Sequence, residues 1–206
     1  MSSSNSRYPI VGSNDNRTPK NEKIVNKTDK KIAFIGGIHG VGKSTICQHI
    51  CRVLNMKYLS ASELLKWEDI NDDAKNKKVK DIHFTQNRLI AGLTNAIQKE
   101  HYYLLDGHFC LLNEKAEVEK ISMDVFKQIN PKALGLILGD ITEIKTRLDL
   151  RDNKNYDFGH LEKLQNSELD YAKEISVALK VPLYIEKSND AMNLSNHLSN
   201  IYNQNG

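Results

Sequence analysis

Short apolar runs that alternate with amphipathic segments predict an α/β fold in three layers, a parallel sheet with helices over both faces. Three observations carry this. The runs are only four to six residues long and lack the polar alternation of a strand with one wet face, so they read as strands buried on both sides. Each is followed by a stretch with apolar residues at helical spacing, which supplies the crossover that a parallel pair requires. The length of 206 residues suits one domain with a full core plus an extension, and no internal repeat interrupts the pattern.

The elements follow in order. Residues 1–29 are rich in Ser, Asn, Lys and Thr, contain Pro9 and Pro19, and have almost no apolar period. Burial there cannot offset the entropy of ordering, so a disordered tail is expected, serving a protein partner or targeting, or else dispensable. Residues 30–206 are expected to form the domain. Lys31–Gly36 is the first strand, with a helix over 43–55, and Lys57–Ser60 is the second, with helices over 61–68 and 82–99. Tyr102–Asp106 is the third, followed by a helix over 116–129. Ala133–Leu138 is the fourth, followed by helices over 141–150 and 160–179. Val181–Ile185 is the fifth, before a last helix over 190–203.

The junction after the first strand reads GIHGVGKST, Gly37 to Thr45. It fits G-x-x-x-x-G-K-[ST] and has the strand before and helix after that the pattern demands. Gly37, Gly40 and Gly42 let the backbone curl so that the amides of this stretch, His39 and Val41 included, point at phosphate oxygens. Lys43 then reaches the β- and γ-phosphates, the Ser44 hydroxyl ligates Mg²⁺, and Thr45 supports the start of the helix. The implication is a P-loop fold that binds a nucleoside triphosphate with Mg²⁺. His39 faces either the γ-phosphate and acceptor or solvent.

Such a site needs a carboxylate near its metal, and HYYLLDGH supplies Asp106 where an apolar strand stops. A buried acid without a role would be costly there, so Asp106 is the expected second magnesium residue and a catalytic one. Gly107 allows a close backbone approach, and His108 faces the same crevice as an acceptor-binding or proton-handling residue, or as a turn histidine. Arg147 and Arg151 are one helical turn apart, on one face, before a polar loop. They are the candidates for catalytic cations on a short lid over about 147–158, with Asp149 and Asp152 as their partners. Asp157 reads as a turn residue. Ser60 and Ser62 either line an acceptor pocket or cap a helix. Gln86 and Arg88 are placed to meet an acceptor base and phosphate.

Other features exclude functions. The net charge of +3 and dispersed lysines, apart from Lys75, Lys77, Lys78 and Lys80, make nucleic acid an unexpected partner. No apolar run approaches the roughly 18 to 20 residues of a membrane span, and the start of the chain lacks a secretory core, so a cytoplasmic protein is expected. The 3 cysteines form neither a CxxC pair nor a disulfide framework; Cys47 and Cys51 read as small core residues. Trp67, Tyr102 and Tyr103 read as core aromatics. NKTD, Asn26 to Asp29, matches a guanine-recognition tetrapeptide but precedes the phosphate loop, where it cannot serve that role.

Taken together, GIHGVGKST, YLSASELLK, LLDGHF, INPKALGLILGD, RLDLRD and the stretch from Leu161 to Asp190 resemble the nucleoside monophosphate kinases, the archaeal-type adenylate kinases most of all. The likeness runs from about Lys31 to Asn189. It implies a five-stranded parallel sheet of order 2-3-1-4-5, ATP as donor, and an acceptor held by about residues 58–100, with AMP first among acceptors. It also implies that Arg147 and Arg151 close over the triphosphate and that the loop from Lys187 to Asp190 brackets adenine. The chain departs from the family on the acceptor side. The arginine-rich helix usual in the acceptor region is lacking, with Lys78, Lys80 and Arg88 the nearest cations and none of them aligned with it, Gly-His-Phe-Cys follows Asp106 without an arginine, and Glu168-Leu169 stands where a helix arginine is frequent. Two functions therefore lead, a small-molecule kinase of a nucleoside monophosphate and a kinase-like ATPase or ATP sensor that regulates or assembles a partner, with a kinase of a sugar, coenzyme precursor or nucleic-acid end as a weaker third for which Lys75–Lys80 is the only hint.

Overall fold

The computed structural model describes residues 31–65, 78–79, 82–113 and 115–203, with backbone alone at 78–79, 82–87 and 203. The tail over 1–29, Trp67 and Lys75, Lys77 and Lys80 lie outside the described residues.

The main sheet has five strands. They are β1 (Ile32–Gly36), β2 (Lys57–Ser60), β4 (Tyr103–Asp106), β7 (Ala133–Leu138) and β8 (Leu183–Lys187), all parallel in the order β2-β4-β1-β7-β8. Counting only these five, the order is 2-3-1-4-5, as expected. β1 and β4 are buried along their whole length because they are apolar on both faces, whereas the edge strand β8 is only partly covered. The helices are α1 (Lys43–Leu54), α2 (Ala61–Leu64), α3 (Ile82–Ala96), α4 (Met123–Ile129), α5 (Ile141–Asp152), α6 (Phe158–Leu179) and α7 (Met192–Asn203).

Local chemistry sets several boundaries. Asp140 and Asp157 cap α5 and α6 by accepting from the amides of Glu143 and His160, at 3.0 and 2.7 Å. Asn55, Asn130 and Asn153 end α1, α4 and α5 in the left-handed conformation that asparagine tolerates.

One expected element is different. The stretch read as a helix over 116–129 begins as a strand, β6 (Val118–Lys120), which pairs antiparallel with β5 (Cys110–Asn113). With β3 (Lys78–Val79) these form a second sheet of order β3-β5-β6, and only Met123–Ile129 is helical. Val118, Ile121, Val125 and Ile129 imitate helical spacing, but Asn113 decides the local backbone: its side chain accepts from the amides of Lys115 and Glu117, making the hairpin turn.

Beneath the carboxyl ends of the strands sits an aromatic cluster. The Phe34 ring meets Phe109 and Phe126 edge-on, at 5.0 and 5.3 Å between centroids. A Cβ added at Gly36 would lie 2.3 Å from the Phe109 ring, so glycine is what lets that ring lie against the end of β1. This cluster is the floor on which the crevice above the sheet is built.

Candidate active site

β1 ends at Gly36, and the chain turns through 37–42 into α1. Gly37, Gly40 and Gly42 have φ of 143, 81 and 92°, values that side-chain-bearing residues rarely adopt. Ile38 and Val41 are buried and anchor the loop in the core, so its backbone faces outward. Gly42 is the N-cap of α1, and with no side chain to spend it leaves the amides of the first turn directed at the crevice. Thr45 is exposed in that turn. The loop thus has the curled, amide-lined form that a triphosphate requires.

Lys43, Ser44 and Asp106 converge beside it. The Lys43 ammonium is 2.8 Å from Asp106 Oδ1, with both side chains buried. Ser44 Oγ and the Tyr58 hydroxyl donate to Asp106 Oδ2 at 2.7 and 2.9 Å. Burial raises the Asp106 pKa, but the Lys43 charge and the hydrogen bonds from Lys43, Ser44 and Tyr58 outweigh it and hold the carboxyl below its ordinary range. A hydroxyl oxygen and a carboxylate are the hard donors that Mg²⁺ takes, so the residues present fit the ion. Tyr58 was not anticipated. It lies two residues before Ser60, which is paired with Asp106 in register, and so falls on the same face of the sheet.

A cavity of about 180 Å³ opens from this cluster toward α2, α3 and α4. Lys43, Ser44, Asp106 and His108 stand at one end, Ser60 and Ser62 along one wall, and Leu89, Leu111, Val125 and Phe126 among the apolar residues that close it. Ser60 and Ser62 share a hydrogen bond of 2.8 Å. Arg88 is half-buried on α3 next to Leu89, but it is not one of the described residues lining the cavity. The side chain of Gln86 lies outside the described residues. The His39 and His108 rings are 4.2 Å apart. They also border a second cavity, of about 310 Å³, that reaches Lys154, Tyr156 and His160. Burial, with Lys43 second, holds the His108 imidazole below its ordinary range, against the opposite pull of Glu168 and Asp106.

Glu168 is the other residue that sequence reasoning missed; it was noted only as the absence of an arginine. It is fully buried on α6, accepting from the Gly37 amide at 3.0 Å and from the Phe109 and Cys110 amides at 3.0 and 3.2 Å. Its Oε1 is also 3.3 Å from His108 Nδ1.

The two arginines differ. Arg147 is linked to Glu143, and its Nη1 would lie 3.8 Å from a Cβ on Gly42, which places the guanidinium beside the phosphate loop. Arg151 is instead held in a two-pronged pair by Asp152, at 2.8 and 2.7 Å, while Tyr156 donates to the same carboxylate. Asp149 pairs with Lys145 and the Tyr156 amide, not with either arginine. Gln165 grips Gly139 at the end of β7 through two hydrogen bonds, of 3.0 and 3.1 Å. Lys187 is exposed at the end of β8, opposite Leu138, at the same edge of the sheet as the phosphate loop. Cys47, Cys51 and Cys110 are buried free thiols, and the described residues contain no group of three or more metal-ligating side chains.

A family model described as an AAA domain matches residues 36–165, well over half the chain, so the chain belongs to that family. No curated protein matches the sequence. Among solved structures, a gluconokinase from Sinorhizobium meliloti 1021 superposes with a TM-score of 0.55 at 14% identity, covering 87% of this chain and 99% of the other. An unliganded sugar kinase from Janibacter sp. HTCC2649 gives 0.53 at 12% identity, covering 84% and 95%. At these identities the likeness is one of fold, the α/β P-loop fold that the motif and strand order predict. No described helix is long and apolar enough to cross a membrane.

Proposed function

We propose that this member of the AAA-domain family is a small-molecule kinase that uses Mg²⁺·ATP. The observation that carries the reading is the cavity beside the phosphate loop whose walls include Lys43, Ser44 and Asp106. A protein that only hydrolyses ATP needs room for water at this point; a walled chamber beside the phosphate loop is what a second substrate needs. ATP would lie on the amides of Gly37, His39, Gly40, Val41, Gly42, Lys43, Ser44 and Thr45, with Lys187 near its base, and Mg²⁺ on Ser44 and Asp106. When bound, the pair supplies the transferable γ-phosphoryl group and the charge that neutralises it.

The chain's own residues do the rest. Lys43 moves from Asp106 onto phosphate oxygens, Arg147 adds a cation from the side of Gly42, and Arg151, once released by Asp152, adds another from the lid. Ser60, Ser62 and His108 orient the acceptor, and the apolar wall keeps water out of its place. The sequence resemblance names AMP as the first acceptor to examine, although Arg88, the cation expected from the sequence to meet an acceptor phosphate, is not among the described residues that line the cavity. The apolar residues Leu89, Leu111, Val125 and Phe126 suit a flat body such as a nucleobase. A sugar-type acceptor, as the names of the gluconokinase and the sugar kinase indicate for those proteins, would have to place its hydroxyls at the polar end, against Ser60, Ser62, Asp106 and His108, and away from these apolar residues.

A second reading is an ATPase or ATP sensor acting on a protein partner, for which residues 1–29 are the candidate contact. Among the described residues lining the acceptor cavity, Lys43 is the single lysine or arginine and is paired with Asp106, which favours this alternative. The test is a coupled ADP assay with Mg²⁺·ATP, AMP and other nucleoside monophosphates, nucleosides and sugars. Turnover that depends on one acceptor and exceeds background by about 100-fold or more is expected. Slow hydrolysis unchanged by every acceptor would sink the kinase reading in favour of the second.

A further inference from the structure

We propose that Glu168 is a positioning residue: one carboxyl group holds the start of the phosphate loop and the start of the acceptor-side hairpin at a fixed separation. Its catalytic consequence rests on the kinase reading above, whereas its geometry does not.

Three observations point this way. Oε2 takes the Gly37 amide, the first of the phosphate loop, while Oε1 takes the Phe109 and Cys110 amides and approaches His108 Nδ1. Gly37 follows the end of β1, and Phe109 and Cys110 lie where the chain enters β5, so one carboxyl group takes amides from two separate segments. A Cβ on Gly36 would approach Oε2 to 3.1 Å and the Phe109 ring to 2.3 Å, so the end of β1 is shaped to admit both groups.

A carboxyl group is not the cheapest way to fill a fully buried site on a long helix. An apolar side chain would pack there without desolvation, at the cost of orphaning the amides. What the carboxyl adds is register between two loops that contact different substrates. In-line transfer needs the reacting atoms about 3–3.5 Å apart, and a misplacement of about 1 Å costs on the order of 100-fold in rate. The phosphate loop carries the donor and the Asp106–Cys110 segment borders the acceptor, so a single residue bonded to both controls that distance.

Amide hydrogen exchange in the full chain tests the geometry without substrate. Gly37, Phe109 and Cys110 share one acceptor group, so their protection factors are expected to agree within about threefold and to fall together in Glu168→Gln. Glutamine keeps one acceptor oxygen, but whichever way it turns its NH₂ meets an amide N–H. Protection that differs by more than about tenfold in the wild type, or that survives the substitution, overturns the proposal.

The kinetic arm reads what a purely structural role would not move. In folded Glu168→Gln, the affinity for a fluorescent ATP analogue should stay within about threefold while kcat at saturating acceptor falls by about 30-fold or more. Glu168→Asp, one methylene too short to span both loops, should lose kcat similarly. Wild-type kcat in either variant overturns the proposal, as does a loss confined to ATP affinity. Should Glu168→Gln not fold, the aspartate variant and wild-type exchange decide. If no acceptor supports turnover, the kinase reading falls and the exchange result alone judges Glu168.

Discussion

The donor side and the acceptor side of the crevice are built in opposite ways. On the donor side, nine consecutive residues from Gly37 to Thr45 supply the loop, the lysine and the hydroxyl, and Asp106, Tyr58 and Arg147 join them from elsewhere. On the acceptor side, the walls come from β2, α2, α3, the β5–β6 hairpin and α4, and they are mainly apolar. A charged site held by one segment tolerates little variation, because backbone conformation and charge must both be right. An apolar chamber assembled from five elements can change its occupant by changing a few side chains without disturbing the fold.

The sharpest way to break the comparison is to strike the donor side. Lys43→Ala should lower ATP-dependent turnover by about 100-fold or more, measured as ADP release, since it removes the main cation at the phosphates. A smaller loss would mean that Arg147 and Mg²⁺ suffice. Next is the hinge between the two sides. Gly36→Ala forces a Cβ into the Phe109 ring and should destabilise the protein by about 2–3 kcal/mol. Thermal unfolding would register this as a fall of roughly 4–12 °C.

Acid should act through the donor side as well. The folded Asp106 carboxyl has a pKa below its unfolded value, since the Lys43 charge and the Lys43, Ser44 and Tyr58 hydrogen bonds outweigh its burial. Its stabilising contribution is therefore fully present above the ordinary carboxylate range and is lost as pH falls through the lower, folded value. Urea titrations at pH 7 and in the acid limb should show wild-type stability falling more steeply than that of Asp106→Asn. Parallel pH profiles would remove Asp106 as a source. The smallest effect belongs to the acceptor wall: Ser62→Ala loses the Ser60 partner, worth about 1 kcal/mol, and should raise acceptor KM by about fivefold with ATP affinity unchanged.

These differences explain what could be read from the chain alone. The phosphate loop, Asp106 and the strands themselves were legible because each depends on adjacent residues: glycines at set spacing, an acid at the end of an apolar run, strands buried on both faces; the order of the strands followed only from the family resemblance. Arg147 and Arg151 were legible as a pair on one helix face, but not their separate fates, beside Gly42 for one and clamped by Asp152 for the other. Val118 to Ile129 shows the opposite failure. Helical spacing was present, and the Asn113 turn with the pairing of β5 to β6 overruled part of it.

By itself the sequence determined an α/β sheet with a triphosphate cradle, because hydrophobic period and glycine spacing act over a few residues. Tertiary structure alone decided that Tyr58 joins Asp106, that Leu89, Leu111, Val125 and Phe126 wall a cavity beside the phosphate loop, and that Glu168 ties two loops together across 131 residues of chain. The physical reason is that a hydrogen bond or a cavity wall depends on which distant groups the packed core brings within about 3–4 Å, and no local pattern encodes that.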